Sequence, residues 1–249
     1  MNSGIYSIDV KKFCEILINI AECFSANEEY LNWLDGQIGD GDFGTNISRG
    51  FRKIKELLQQ KKELGQQDIG SILQESAMQF MQVSGGASGP LIGMMLLEAS
   101  KVVKGKKSIY VKELIEMFES MLRIAKLIGG AEVGDKTMVD VLQPVVDEMK
   151  KIIEKEKNID MVKLFDLLTQ TAKKYLEKTI NMKAKKGRAS YLGERSIGKQ
   201  DPGATAIYLI IRTFYETLNE RKSIKIIEYN KGSGTIIREE YLSSSNGNT

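Results

Sequence analysis

Residues 34–46, LDGQIGDGDFGTN, form an acidic, glycine-rich stretch between two segments that have the apolar spacing of helices. Asp35, Asp40 and Asp42 lie here on a backbone too rich in glycine to continue a helix or a strand. Carboxylates this close repel one another, so the cluster is expected only where a cation offsets the charge or water screens it. Spacing alone leaves two interpretations open, a Mg²⁺ site with free coordination positions and a solvated acidic turn.

On both sides of this stretch, apolar residues recur at the spacing of amphipathic helices, as in Phe13, Ile16, Leu17 and Ile20. The final segment instead alternates apolar and polar residues around NKGSG, which predicts a β-hairpin followed by a polar tail of disordered composition. We therefore divide the chain into a helical domain, 1–220, and a C-terminal extension, 221–249. The spacing predicts an all-α domain with helices at 7–24, 28–36, 46–61, 67–83, 89–103, 111–128, 137–156, 160–184 and 203–219.

Four glycine-bearing segments, 39–45, 84–90, 129–137 and 187–203, join predicted helices. Each leads into a helix start, where free backbone N–H groups and the helix dipole favour anions. Tight turning explains any one of them, but four together favour backbone that approaches a ligand. If consecutive helices run up and down, several of these loops meet at one end of the bundle.

Composition excludes several function classes. The chain has no histidine, which removes Ser-His-Asp and Cys-His nucleophile systems and HExxH metal sites. Its 36 basic and 33 acidic residues are too nearly balanced to indicate a nucleic-acid partner. No apolar run reaches the roughly 18 residues that span a bilayer, and the N-terminus lacks the layout of a signal peptide, so we expect a cytoplasmic protein with no membrane partner.

Four segments resemble, in the correct order, the nucleotide-binding L subunits of the dihydroxyacetone kinase family: LDGQIGDGDFGTN, GGASGPL, GDKTMVDVLQP and GRASYLGERSIGKQDPGAT. The resemblance implies a barrel of eight antiparallel helices with the nucleotide site in the loops at one end. On this basis one of the nine predicted helices is surplus, and 28–36 is the one expected to merge with its neighbours. The resemblance also implies ADP, or ATP, bound through two Mg²⁺ ions.

The family motifs assign site residues at matching positions of this chain. They imply that Asp35, Asp40 and Asp42 are the metal ligands and that Arg188 offsets phosphate charge as the catalytic residue. The chain departs from the usual motifs at Phe43 and Lys199, where the family has histidine. The nucleotide contacts implied by the resemblance are Phe43, Gly44, Thr45, Asn46, Ala87, Ser88, Gly129, Met138, Arg188, Asp201, Pro202 and Gly203.

The implied activity is that of a phosphoenolpyruvate-glycerone phosphotransferase subunit. In such a system a phosphohistidine on a separate phosphotransferase protein supplies the phosphoryl group, bound ADP carries it, and dihydroxyacetone on a K subunit receives it. Two alternatives stay open at this point: an ATP-dependent kinase subunit for another small ketose or a fatty acid, and a nucleotide-dependent regulatory module. The oligomeric state is also open, with a homodimer among the alternatives.

Overall fold

A computed structural model describes residues 4–61 and 64–243 of the chain. Two-residue strands β1 (Ile8–Asp9) and β2 (Ser108–Ile109) pair antiparallel, and a C-terminal hairpin contains β3 (Ile224–Tyr229) and β4 (Ile236–Tyr241). Every helix among the described residues is too short or too polar to cross a bilayer. The α-helices in these residues are α1 (Val10–Ala26), α2 (Glu28–Ile38), α3 (Phe43–Gln60), α4 (Ile69–Val83), α5 (Ser88–Val102), α6 (Val111–Gly129), α7 (Val139–Lys155), α8 (Met161–Lys178) and α9 (Pro202–Leu218).

Aspartates fix the starts of four of these helices. The carboxylates of Asp9, Asp68, Asp160 and Asp201 each accept a hydrogen bond from a backbone N–H in the first turn of the helix that follows. Such caps satisfy N–H groups that have no partner inside the helix. The cap at Asp9 explains why α1 begins at Val10 rather than at the predicted residue 7, since the preceding residues pair with β2.

The helices pack in a ring around an apolar core. From α3 to α9, each helix packs against the next one in the sequence, α1 packs against α3, and α9 packs against α1. The core includes a stacked pair of rings, Phe165 and Phe214, whose centroids lie 4.8 Å apart. The α-helical prediction is thus confirmed for the bulk of the domain.

Besides the start of α1, two expectations about helix extent are wrong. The segment at 28–36 does not merge with its neighbours: α2 is a separate helix, because the chain leaves α1 at Asn27 and that side chain bonds to the carbonyl of Cys23 and to β3. The helix predicted at 160–184 ends at Lys178 and continues only as a short 3-10 turn. Residues beyond it turn toward the 187–203 segment, where Ala184 N–H donates to Ser196 Oγ at 2.9 Å.

The C-terminal hairpin is packed onto the helical domain. Ile224, Ile226 and Ile236 are buried in the same apolar core as the helices. Asn27 bridges the two parts, since its amide donates to Ile224 O and its side-chain oxygen accepts from Ile226 N–H at 2.7 Å. Residues 244–249, in the part of the extension where a disordered tail is predicted, lie outside the described residues.

Candidate nucleotide and metal site

Four helix N-termini line one pocket at one end of the helical ring. Phe43, Ser88, Val139 and Pro202 are the first residues of α3, α5, α7 and α9, and all four contribute to its wall. The cavity has a volume of about 280 Å³. The loops that the sequence predicts to converge therefore do so. The predicted site residues that line the pocket are Asp35, Asp40, Asp42, Phe43, Ala87, Ser88, Gly129, Met138, Arg188, Asp201, Pro202 and Gly203.

Asp35 organises the acidic stretch through a single oxygen. Its Oδ2 accepts from the backbone N–H groups of Gly41, Asp42 and Phe43, at 2.9, 3.1 and 3.3 Å. Gly41 makes this loop possible because its φ of +80° lies in the left-handed region that other residues rarely adopt. The second carboxylate oxygen of Asp35 makes no hydrogen bond to a described residue, which leaves it available to a ligand.

Asp35, Asp40 and Asp42 bring one oxygen each to within 4.8 Å of one another. Hard oxygen donors that converge in this way suit Mg²⁺, which retains waters and takes its other ligands from phosphate. Asp40 also forms an ion pair with the guanidinium of Arg188. The cluster thus fits a divalent cation by donor type and spacing, and Arg188 lies beside it.

Two buried charged residues where α7 begins were not singled out from the sequence: Lys136 in the loop before the helix and Asp140 in its first turn. Lys136 has a φ of +62°, unusual for a residue other than glycine, and its ammonium donates to the carbonyl oxygens of Met182 and Ser196. Asp140 accepts from Gly134 N–H and Thr137 N–H. Lys136 thus holds the 129–137 loop against the 182–196 segment, and Asp140 holds the end of the same loop against α7. The only sequence signal was the motif GDKTMVD itself, since a buried lysine cannot be inferred from a loop composition.

Asp201 contributes a buried carboxyl to the pocket wall. Burial raises its pKa to about 7, although the hydrogen bond from Ala204 N–H and the nearby Lys136 ammonium oppose the shift. Burial in turn lowers the pKa of Lys136 to about 8, an effect that Asp201 partly offsets. Two groups whose pKa values move toward one another in a cleft indicate a functional site.

Gly44, Thr45 and Asn46 lie behind the pocket wall. A side chain at Gly44 would overlap the carbonyl oxygen of Glu28 on α2, so glycine is required for the close packing of α2 on α3. Thr45 Oγ1 bonds to Asn32 and Glu28 of α2, while Asn46 O accepts from Ser84 Oγ. These residues support the 39–45 and 84–90 loops, and their contact with nucleotide stays a prediction.

The two departures from the family motifs have different surroundings. Phe43 lies in the pocket wall at the start of α3 and is largely buried. Lys199 instead extends to the C-terminal hairpin, where its ammonium donates to Gly232 O at 2.8 Å.

Comparison with known proteins assigns the fold to a family. Residues 37–216 match the family model described as the DAK2 domain. The chain is 40% identical over 196 residues to the ADP-binding subunit DhaL of the PEP-dependent dihydroxyacetone kinase of Escherichia coli, covering 79% of this chain and 91% of that protein. It is 33% identical over 213 residues to a DhaL subunit of Listeria innocua, covering 86% of this chain and 97% of that protein.

Solved structures agree with this assignment. The crystal structure of the dihydroxyacetone kinase of Citrobacter freundii in complex with AMP-PNP and Mg²⁺ matches with a TM-score of 0.61 and 27% identity. The match covers 82% of this chain and 33% of that longer chain. The native form of the same enzyme matches with a TM-score of 0.64 and 26% identity, over 34% of its chain.

Proposed function

The chain belongs to the DAK2 domain family, and on that premise we propose that it is the ADP-binding subunit of a phosphoenolpyruvate-dependent dihydroxyacetone kinase. It is a phosphotransferase subunit that carries a phosphoryl group on bound nucleotide to dihydroxyacetone. The observation that carries the proposal is the meeting of four helix N-termini and three aspartates in one pocket. The ring of helix contacts supports a barrel of eight longer helices, with α2 as an added short helix.

The pocket suits a diphosphate because its wall supplies positive groups without a catalytic nucleophile. The first residues of α3, α5, α7 and α9 line the cavity, so the positive ends of four helix dipoles lie at its wall. Arg188 adds a planar guanidinium, whose paired donors match phosphate oxygens. Phosphoryl transfer depends chiefly on positioning and charge neutralisation, and these are the properties that this wall provides.

Asp35, Asp40 and Asp42 would hold Mg²⁺ between the protein and the phosphates. We propose two ions, because three carboxylates within 4.8 Å of one another offer more oxygens than a single hydrated ion requires. When bound, the metal neutralises phosphate charge and fixes the orientation of the phosphates. Asp35 Oδ2 holds the backbone of the acidic loop in place, and Arg188, which pairs with Asp40, would contact the phosphoryl group once the aspartates hold the metal.

Partners complete the reaction. Because the chain contains no histidine, the phosphohistidine donor of a phosphotransferase system must belong to a separate protein. The relatives are named as ADP-binding subunits, so we propose a K subunit that presents dihydroxyacetone to the pocket. We place this assembly in the cytoplasm, where phosphoenolpyruvate-dependent transfer takes place, and propose a homodimer as the form of the free subunit.

Two measurements test the function. We expect the purified protein, once denatured, to release close to one ADP per chain, together with Mg²⁺. Reconstitution with a K subunit, a phosphotransferase protein and phosphoenolpyruvate should phosphorylate dihydroxyacetone, and Asp40→Asn should abolish the reaction. A purified chain that is free of nucleotide and active with ATP alone would instead establish the ATP-dependent alternative, and inactivity under both conditions would favour a regulatory module.

A further inference from the structure

The C-terminal hairpin lies beyond residues 37–216, the part of the chain that matches the family, yet its turn contacts the nucleotide pocket from behind. We propose that this turn, residues 230–235, positions the 199–202 segment of the pocket wall and thereby strengthens ADP binding. Gln200 is the positioning residue through which it acts. The inference rests on the proposed nucleotide function and assigns the hairpin a part in it.

The turn bonds directly to the backbone before α9. Gln200 N–H donates to Ser233 O at 2.7 Å, and the Lys199 ammonium donates to Gly232 O. Residues 199–201 lie outside any helix or strand, so hydrogen bonds of this kind determine their position. The next residues, Asp201, Pro202 and Gly203, line the pocket.

A buried hydrogen-bond chain reinforces the contact. Tyr30 OH donates to Gly234 O at 2.6 Å and accepts from Gln200 Nε2 at 2.9 Å. The same Gln200 amide donates to Thr205 Oγ1 in the first turn of α9 at 3.0 Å. Gln200 and Tyr30 are only 1% and 4% exposed, so water cannot readily replace these bonds. One chain of contacts thus joins α2, the hairpin turn and the start of α9.

Gly234 packs tightly against residues that lie directly behind the pocket wall. Its φ of +88° favours glycine, and a Cβ there would overlap Leu34 Cδ2 and lie 3.4 Å from Gln200 Cβ. Leu34 directly precedes Asp35, the residue that anchors the acidic loop. A side chain at Gly234 must therefore displace either the hairpin turn or the two pocket segments that it contacts.

The first test is Gly234→Ala, and Gly65→Ala, outside the hairpin, is its glycine-to-alanine control. Gly65 has no left-handed φ, and a Cβ there would meet no atom within 4 Å. Tyr30→Phe is the second test, since it removes one hydroxyl and no packing volume. Met161→Ala serves as a destabilised control, because Met161 is fully buried at the start of α8. The pocket wall is contacted from the other end of that helix, where Thr179 Oγ1 accepts from Asp201 N–H.

The readouts are the Kd for Mg-ADP and its dissociation rate, measured by calorimetry and fluorescence well below the Tm of every variant. We expect Gly234→Ala and Tyr30→Phe to weaken ADP binding roughly five- to tenfold through faster dissociation, as the loss of a buried hydrogen bond does. Gly65→Ala should bind Mg-ADP as the unmodified chain does, and Met161→Ala should have a lower Tm with an unchanged Kd.

Two results would overturn the inference alone: normal ADP affinity in Tyr30→Phe, or an equal loss of affinity in Met161→Ala at the same loss of Tm. If Gly234→Ala does not fold, Tyr30→Phe decides the matter. An unmodified chain with no affinity for Mg-ADP would remove the proposed function itself, and the inference with it.

Discussion

The three hydrogen bonds to Asp35 make a sharp prediction about the acidic loop in the absence of any ligand. Asp35→Ala removes the acceptor of the backbone N–H groups of Gly41, Asp42 and Phe43. The loop is partly exposed, so water recovers some of the loss, and a cost of roughly 1 kcal/mol per bond gives about 3 kcal/mol in total. For a chain of this size that corresponds to a fall in Tm of about 6–12 °C.

Asp35→Asn separates the anchoring role from metal binding. The amide keeps an oxygen that accepts the same N–H groups, and the loss of its charge relieves repulsion with Asp40 and Asp42. We expect its Tm, measured by circular dichroism on metal-free and nucleotide-free protein, to lie within about 3 °C of the unmodified value. Retention of Mg-ADP should be lost in both variants, because an amide is a poor Mg²⁺ ligand.

Asp42→Ala is the matched control. The Asp42 carboxylate makes no capping hydrogen bond to α3, so its removal should leave the Tm of the ligand-free protein almost unchanged while nucleotide retention falls. Equal Tm values for Asp35→Ala and Asp42→Ala would refute the reasoning, since they would show that the three N–H bonds do not hold the loop.

Three further predictions concern charge in the pocket. First, the pKa of Asp201 is raised to about 7, so this carboxyl stabilises the ligand-free fold fully below its ordinary pKa, near 4, and the contribution is lost as pH rises to 7. Relative to Asp201→Asn, urea unfolding should therefore show a loss on the order of 4 kcal/mol between pH 4 and pH 7, and a constant difference would contradict it. Second, Arg188→Met should lower transfer activity at least a hundredfold in the reconstituted system. Its pair with Asp40 is exposed, so the free energy of unfolding of the ligand-free protein should change by less than about 1 kcal/mol. A large loss of Tm would instead indicate a structural role. Third, a chelator such as EDTA should release ADP from the purified protein, and gel filtration in which ADP stays with the chain would argue against metal-dependent binding.

The sequence predicts the helical fold because amphipathic spacing is a local property. The apolar residues spaced i, i+4 around Phe13 all belong to one helix, and aspartate caps such as Asp9 and Asp160 mark helix starts. The boundary errors at Asn27 and Lys178 have a different origin, since both depend on partners distant in the chain, Ile224 in one case and the segment around Ser196 in the other. Periodicity does not report such contacts.

The residues of the candidate site also fall into two groups, those that the sequence indicates and those that depend on distant partners. The carboxylates of the first loop are visible because acidic residues among glycines are unusual, and the four loops are visible because glycine is costly there. Lys136 and Gln200 are not visible in the sequence, because their partners come from distant segments. Lys136 donates to backbone carbonyls such as that of Ser196, and Gln200 donates to the hydroxyl of Tyr30. Whether Gly44, Thr45 and Asn46 contact nucleotide stays a prediction, since they bond to α2 and to the loop before α5.

The helix N-termini that line the pocket are separated by much of the chain, from Phe43 in α3 to Pro202 in α9. A growing polypeptide on the ribosome therefore has no complete pocket until α9 has left the exit tunnel and closed the ring against α1. Stalled or truncated chains that lack α9 would not capture the nucleotide, so ADP would distinguish finished subunits from fragments. Nucleotide capture is then a late event in the maturation of the subunit, and it follows the closure of the fold.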